Sequence, residues 1–260
     1  MQKDGIKILR VKNPEKGFEI CKNLLYENAS KNSVFFLSGG STPKTLYELL
    51  AKEKKLSIGA AALVDERYIP NSKLKSPAHL VSESIAGRQK SKAEEIPEGT
   101  NEKMIRDTGL VQYIENTARF YPILEEKGIE ETAKDYDETV RFLFSHFPKS
   151  VGILGIGSDG HTAGIPARVQ NSKLKSQKFE GTELVTSIED FPGDFKKRIT
   201  LTFPGLSKLD KIIILAFGRE KKKALRLMFN GDNISEIPAR FFKTRDIAEK
   251  TTLITDLSLL

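Results

Sequence analysis

The chain has 260 residues, 38% hydrophobic and 30% charged, with a formal net charge of +7. No apolar run approaches the roughly 18 residues of a membrane span, and the single cysteine, Cys21, excludes an intramolecular disulfide and argues against a cysteine-rich metal site. Lysines and arginines are scattered without interleaved aromatics, so the positive charge suits anionic small molecules rather than nucleic acid, and a polar start with one cysteine suits a reducing, cytoplasmic compartment.

In chain order, Ile6 to Val11 reads as a short strand. Asn13-Pro14 then opens a helix, with asparagine as the cap and proline at the first helical position. Phe18, Cys21 and Leu25 follow at helical spacing, which makes Cys21 core filler. Ser33 to Leu37 is an apolar strand that ends in Ser38-Gly39-Gly40-Ser41-Thr42-Pro43. A helix follows with Leu46, Leu49 and Leu50 on one face, Thr42 as its expected N-cap and Pro43 in its first turn. Backbone N–H groups at Gly39 and Gly40, the positive helix end, and hydroxyls of Ser38, Ser41 and Thr42 together suit a phosphate. A plain tight turn has the same local pattern, and no Gly-Lys-Ser/Thr follows to make a Walker loop.

A third strand, about Ala60 to Val64, ends at Asp65-Glu66-Arg67. Taken alone, these charges read more readily as a solvated loop than as site residues at a sheet's carboxyl edge. The segment 71–99 reads as a flexible loop or flap and contains His79, a surface histidine on this reading. The hexapeptide Asn-Ser-Lys-Leu-Lys-Ser occurs at 71–76 and again at 171–176, which does not amount to a repeat architecture. Helical spacing returns at 101–117 and 130–146, placing His146 at a helix end that suits a cation.

Val151 to Ile156 is an apolar run that stops in Gly155-Ile156-Gly157-Ser158-Asp159-Gly160-His161-Thr162-Ala163. Such runs bounded by glycine read as buried strands of a parallel sheet, whose ligand crevice lies beyond the carboxyl ends. The stretch also satisfies G-x-G-x-x-G, but it sits mid-chain and lacks a clear strand-end acid about 20 residues on. A general base is the sharper reading: a neutral histidine can take a proton from water, and a carboxylate two residues earlier can orient it. No G-x-S-x-G nucleophile, H-E-x-x-H pair or cysteine cluster accompanies it. After a loop-like 164–183, strands are expected at 184–187 and 198–203, and Lys211 to Phe217 is the strongest buried strand. It ends at Gly218 and enters Arg219-Glu220-Lys221-Lys222-Lys223-Ala224, where lysines at a helix start suit either a bound anion or a solvated face. A short helix near 244–249 and a strand near 251–255 close the chain. No linker-like segment divides it, so 1–260 is expected to be one domain.

Three motifs occur in order: Leu37-Ser38-Gly39-Gly40-Ser41-Thr42-Pro43, Val64-Asp65-Glu66-Arg67-Tyr68-Ile69-Pro70, and Leu154 to Ala163. With them the chain resembles the 6-phosphogluconolactonase family, within the wider sugar-phosphate isomerase/deaminase superfamily. Arg198-Ile199-Thr200-Leu201-Thr202, the helix start from Gly218 to Ala224, and Asn101-Glu102-Lys103-Met104-Ile105-Arg106 are also similar. The resemblance implies an open, doubly wound, mostly parallel α/β sheet flanked by helices. It implies hydrolysis of 6-phosphogluconolactone to 6-phosphogluconate, the second step of the oxidative pentose phosphate pathway, with no metal or organic cofactor. On this resemblance His161 is the general base with Asp159 beside it, and Ser38, Gly39, Gly40, Ser41 and Thr42 bind phosphate. Asp65, Glu66, Arg67 and Arg198 line the pocket with Lys221, which fits by distance from Gly218, or Lys223, which fits by its place before Ala224. The partner is a small sugar phosphate, and the chain is expected to be a monomer or homodimer.

Two features depart from the family. Gly164-Ile165-Pro166 follows His-Thr-Ala where the lactonases usually continue Ser-Leu-Phe-Pro, and the 71–99 segment is longer. A glucosamine-6-phosphate deaminase-like enzyme is the rival; that branch usually carries an aromatic after Asp-Glu and an Asn-Glu pair after its histidine, where this chain has Arg67 and Gly164-Ile165-Pro166. A phosphosugar-binding protein without turnover is the non-enzymatic alternative.

Overall fold

The computed structural model describes residues 1–69, 96–123, 127–167, 179 and 181–258. Strands β1 (Gln2–Lys3), β2 (Ile6–Arg10), β3 (Ser33–Leu37), β4 (Ala60–Leu63), β6 (Arg119–Tyr121), β7 (Lys149–Gly155), β10 (Lys211–Ala216) and β11 (Thr251–Thr255) form the main sheet. Its order is β1-β2-β11-β10-β7-β3-β4-β6, parallel throughout except for the β1–β2 pair. The central strands are apolar along their length because helices cover both faces of a parallel sheet. Val34, Phe35, Phe36 and Leu37 are all buried, as are Ile212 to Ala216.

Helices α1 (Pro14–Asn28), α2 (Ser41–Glu53), α3 (Asn101–Asp107) and α4 (Leu110–Glu115) lie in connections that advance toward β6. The chain then turns back through α5 (Ile129–His146) to β7, and through α6 (Phe203–Ser207) and α7 (Lys221–Phe229) to the other edge. Right-handed crossovers put the outgoing and returning helices on opposite faces. In agreement, α2 touches α1, α3 and α4, while Phe144 of α5 stacks on Phe36 at 5.1 Å between centroids. The strand order reverses between β3 and β7, which sit side by side with Leu37 opposite Ile153. That reversal is where an open α/β sheet leaves a crevice.

A second, antiparallel sheet runs β5 (Asp65–Arg67), β9 (Arg198–Leu201), β8 (Val185–Ile188), and α5 packs on β8 and β9. Asp65-Glu66-Arg67 is therefore a strand, not the solvated loop that its charges suggest. Only non-local pairing with Arg198 to Thr200 could reveal this.

The Asn13 cap forms as expected, its side chain accepting from Lys16 N at 3.0 Å. The single helix expected over 101–117 is two, because the chain turns at Gly109 with φ +80°. The short strands β1 and β6 and helix α6 went unread; α6 is too short for periodicity, though Thr202 caps it through Gly205 N. A 3₁₀ helix at Pro238–Lys243 and the short α8 (Arg245–Ala248) precede β11. Among the described residues no helix is long and apolar enough to cross a membrane. Positions 70–95, with His79, the first hexapeptide copy and most of the 71–99 flap, lie outside the described residues, as does the second copy at 171–176.

Candidate active site

Two glycine loops leave the carboxyl ends of β3 and β7 and flank the reversal point. Ser38 N donates to Ile153 O at 3.2 Å, tying the first loop to β7. The Ser38 hydroxyl is buried without a hydrogen-bond partner among the described residues. Gly40 has φ +105° and is the N-cap of α2, with no side-chain cap. The helix thus starts at Ser41, two residues before the point implied by Thr42 as cap. A backbone that only glycine adopts readily admits the chain to the helix early and leaves first-turn N–H groups uncapped. Those groups and the helix dipole favour an anion. Asn101, at the start of α3, covers this loop: a Cβ on Gly39 would meet Asn101 Oδ1 at 1.9 Å.

The second loop closes on itself through Gly157 N to His161 O at 2.8 Å and an Ile156–Thr162 bridge. The His161 ring lies directly on Gly157, where any Cβ would come within 2.0 Å of it. Asp159 Oδ1 accepts from His161 N at 3.1 Å and lies 2.6 Å from His161 Nδ1. Partial burial works against the Asp159 charge, but its hydrogen bonds with His161 and the histidine's charge outweigh that and hold the carboxyl at about 2. Beside an ionised carboxylate Nδ1 carries the hydrogen, so Nε2 is the basic nitrogen. Gly164 N donates to Thr200 Oγ1 at 2.9 Å, and a Cβ there would lie 2.9 Å from Thr200 Cβ. Gly164 is therefore packed against β9.

The small sheet brings charge to the same place. Asp65 is 5% exposed and Glu66 0%. Burial pushes the Asp65 carboxyl up, opposed by the charges of Arg198, His161 and Arg67. Arg198 Nη1 reaches Asp65 Oδ2 at 3.5 Å, and burial lowers the Arg198 guanidinium despite that partner. Arg67 donates to Gly99 O. The Nε atoms of both Arg67 and Arg198 are buried without a partner among the described residues. Glu66 is placed differently. Its carboxylate accepts Arg67 N and Asn101 N at 2.6 Å and Glu102 N at 2.7 Å, so it anchors the start of α3 instead of facing the crevice. Burial pushes it up to about 8 against those donors.

Lys221, at the first position of α7, donates Nζ to Ile156 O at 2.8 Å, whereas Lys223 is exposed. Of the two lysines left open by spacing, Lys221 is the one at the loop. Ser41 is exposed and Thr42 half-buried at the α2 start. Asn101 was not singled out as a site residue from sequence; besides covering Gly39 it donates Nδ2 to Asp65 O at 2.8 Å. Its place after Thr100, which caps α3 through Lys103 N, was the available signal. Among the described residues no group of three potential ligands could hold a metal ion.

Residues 19–253 match the family model described as glucosamine-6-phosphate isomerases/6-phosphogluconolactonase. A 6-phosphogluconolactonase of Thermotoga maritima is 29% identical over 219 residues, covering 83% of this chain and 82% of that protein. A glucosamine-6-phosphate deaminase of Streptococcus uberis is 23% identical over 251 residues, covering 93% of this chain and 94% of its own length. The crystal structure of a 6-phosphogluconolactonase from Shewanella baltica shares the fold, with a TM-score of 0.70 at 19% identity over 96% of this chain and 97% of that one.

Proposed function

This chain belongs to the glucosamine-6-phosphate isomerase/6-phosphogluconolactonase family, and we propose that within it the chain hydrolyses 6-phosphogluconolactone to 6-phosphogluconate. The observation that carries this reading is the oriented pair Asp159–His161 beside two half-buried arginines whose buried Nε atoms are unpaired among the described residues. In this reading the substrate phosphate docks on the uncapped start of α2, at Ser38 to Thr42, with Lys221 nearby.

His161 Nε2 takes a proton from water, and the resulting hydroxide adds to the lactone carbonyl carbon. Arg67, or backbone N–H groups, stabilises the oxyanion. Collapse breaks the bond from the carbonyl carbon to the ring oxygen, which receives the proton held by His161. The acid product then ionises. Arg198, held near Asp65, supplies further positive charge to the anionic substrate.

A deaminase is the second reading, favoured by the relatives that bear that name. Against it stand Arg67 directly after Asp65-Glu66 and Gly164-Ile165-Pro166 after the histidine, where the deaminase pattern has an aromatic and an Asn-Glu pair. The test is the hydrolysis rate of freshly made 6-phosphogluconolactone with wild type and His161→Ala side by side, and glucosamine 6-phosphate as the other substrate. Acceleration of lactone hydrolysis by wild type alone supports the reading. Turnover of glucosamine 6-phosphate without lactone hydrolysis replaces it with the deaminase.

A further inference from the structure

The turn that joins β8 to β9, residues 189–197, belongs to none of the motifs above. It closes with Phe191 N donating to Lys196 O at 2.8 Å, and it carries two phenylalanines four positions apart. Phe191 is buried at 4% exposure. The Arg198 guanidinium lies over its ring, 4.0 Å from the centroid. The His161 ring meets the same phenylalanine at 5.4 Å between centroids and 87° between planes. The Arg67 guanidinium lies over Phe195 at 4.6 Å. One short turn therefore touches Arg198, His161 and Arg67 together.

We propose that Phe191 and Phe195 are positioning residues of this site, holding Arg198, His161 and Arg67 by ring contacts that leave arginine N–H groups free for the anionic substrate. A guanidinium carries its five N–H donors in its plane. A carboxylate partner consumes those donors and neutralises the charge, whereas an aromatic face holds the cation from above and leaves the plane open. The other contacts of these arginines are sparse. Arg198 has Asp65 at 3.5 Å and Arg67 has the Gly99 carbonyl, and both Nε atoms remain unpaired among the described residues. Phe195 also fills the space beside Gly99, where a Cβ would meet its ring at 2.6 Å, so the ring and the Gly99 carbonyl, from two segments that pack together, both contact Arg67. For His161, Phe191 adds a third restraint to Asp159 and Gly157. The inference rests on the lactonase reading only for the reaction it serves.

The decisive experiment alters the ring's electrons without removing the ring. Phe191→Leu, Phe195→Leu, and a chain with 3,4,5-trifluorophenylalanine at position 191 are compared with wild type. Calorimetry reads 6-phosphogluconate affinity, lactone hydrolysis gives kcat and KM, and thermal melting reads stability. The Leu variants are expected to bind about three- to thirtyfold more weakly, and Phe191→Leu, which also frees His161, lowers kcat as well. The fluorinated ring, near-identical in shape but with a weakened negative face, reproduces at least half of the logarithmic affinity loss of Phe191→Leu with an unchanged melting temperature. Leu variants that bind like wild type overturn the proposal. So does a fluorinated chain that binds like wild type while Phe191→Leu does not, since packing alone then explains the loss. Wild type that binds but does not hydrolyse the lactone, with the ring-dependent loss intact, removes the lactonase reading and leaves the inference standing. Hydrolysis by wild type with ring-independent binding does the reverse. No binding by wild type of either 6-phosphogluconate or glucosamine 6-phosphate overturns both.

Discussion

In the main sheet the central strands bury apolar runs, Val34 to Leu37 and Ile212 to Ala216, with hydroxyls such as Ser150 and Thr252 but, among the described residues, no buried carboxyl, and its chemistry-bearing residues sit in loops beyond the strand ends. In the small sheet the strands themselves bury Asp65, Glu66 and Thr200. The first arrangement is held by area removed from water, which tolerates change in a loop. The second depends on specific pairings, since a buried charge that loses its partner is strongly destabilising. Substitutions on the two sides of the crevice should therefore differ in kind, with activity lost from the main-sheet loops and stability lost from the small sheet.

The largest expected effect is at His161. Replacement by Ala should lower kcat by about a thousandfold, in the range of a lost general base, while the melting temperature and 6-phosphogluconate affinity stay close to wild type. Gly157→Ala should come next, with a loss of about a hundredfold in kcat/KM, because its methyl occupies the place of the His161 ring and a misplacement of about 1 Å has that scale. Circular dichroism should show the fold retained. A parallel loss of folding in either variant would erase the contrast between the sheets.

Lys221→Met should raise KM about tenfold with a smaller change in kcat, as expected for a charge that binds ground state and transition state alike. Equal loss in kcat and kcat/KM would instead place Lys221 at the reacting carbonyl.

Two carboxyls, buried Glu66 and exposed Asp159, sharpen the comparison through pH. Glu66 is raised to about 8 in the fold. The folded chain then holds that proton more tightly than the unfolded chain, and the contribution of Glu66 falls as pH rises from the ordinary glutamate range to about 8, by at most about 1.4 kcal/mol per pH unit. Asp159, lowered to about 2, has the opposite sign, with stabilisation present above the ordinary aspartate range and lost as pH falls toward 2. Urea midpoints across pH should show the slope between about 4.5 and 8 in wild type and its loss in Glu66→Gln. Identical slopes in the two proteins would mean that three backbone donors keep Glu66 ionised throughout.

Much of this arrangement was legible in the chain. The strands Ser33–Leu37, Lys149–Gly155 and Lys211–Ala216 were legible as the apolar runs Ser33 to Leu37, Val151 to Ile156 and Lys211 to Phe217, because a parallel sheet buries both of their faces. The two glycine loops read as site loops because a strand-to-helix turn with small residues exposes backbone N–H groups. Pairing of His161 with Asp159 was visible at a spacing of two residues. What misled was charge: Asp65 and Glu66 look solvated until Arg198, 133 residues away, and the N–H groups of Asn101 and Glu102 are brought beside them. The ring contacts of Phe191 and Phe195 went unread for the same reason, although two phenylalanines flanking Pro-Gly-Asp between strands marked a hairpin.

By itself the sequence determined which long apolar runs are strands, which loops carry glycine, and which histidine has a carboxylate at hand, since these follow from local periodicity and short spacing. Only the tertiary structure decided which cap starts α2, which lysine reaches the crevice, that Glu66 anchors a helix, and that two rings hold two arginines. Those outcomes depend on the burial and pairing of groups far apart in the chain, and the stability of a charge or a cap is set by neighbours that no local window contains.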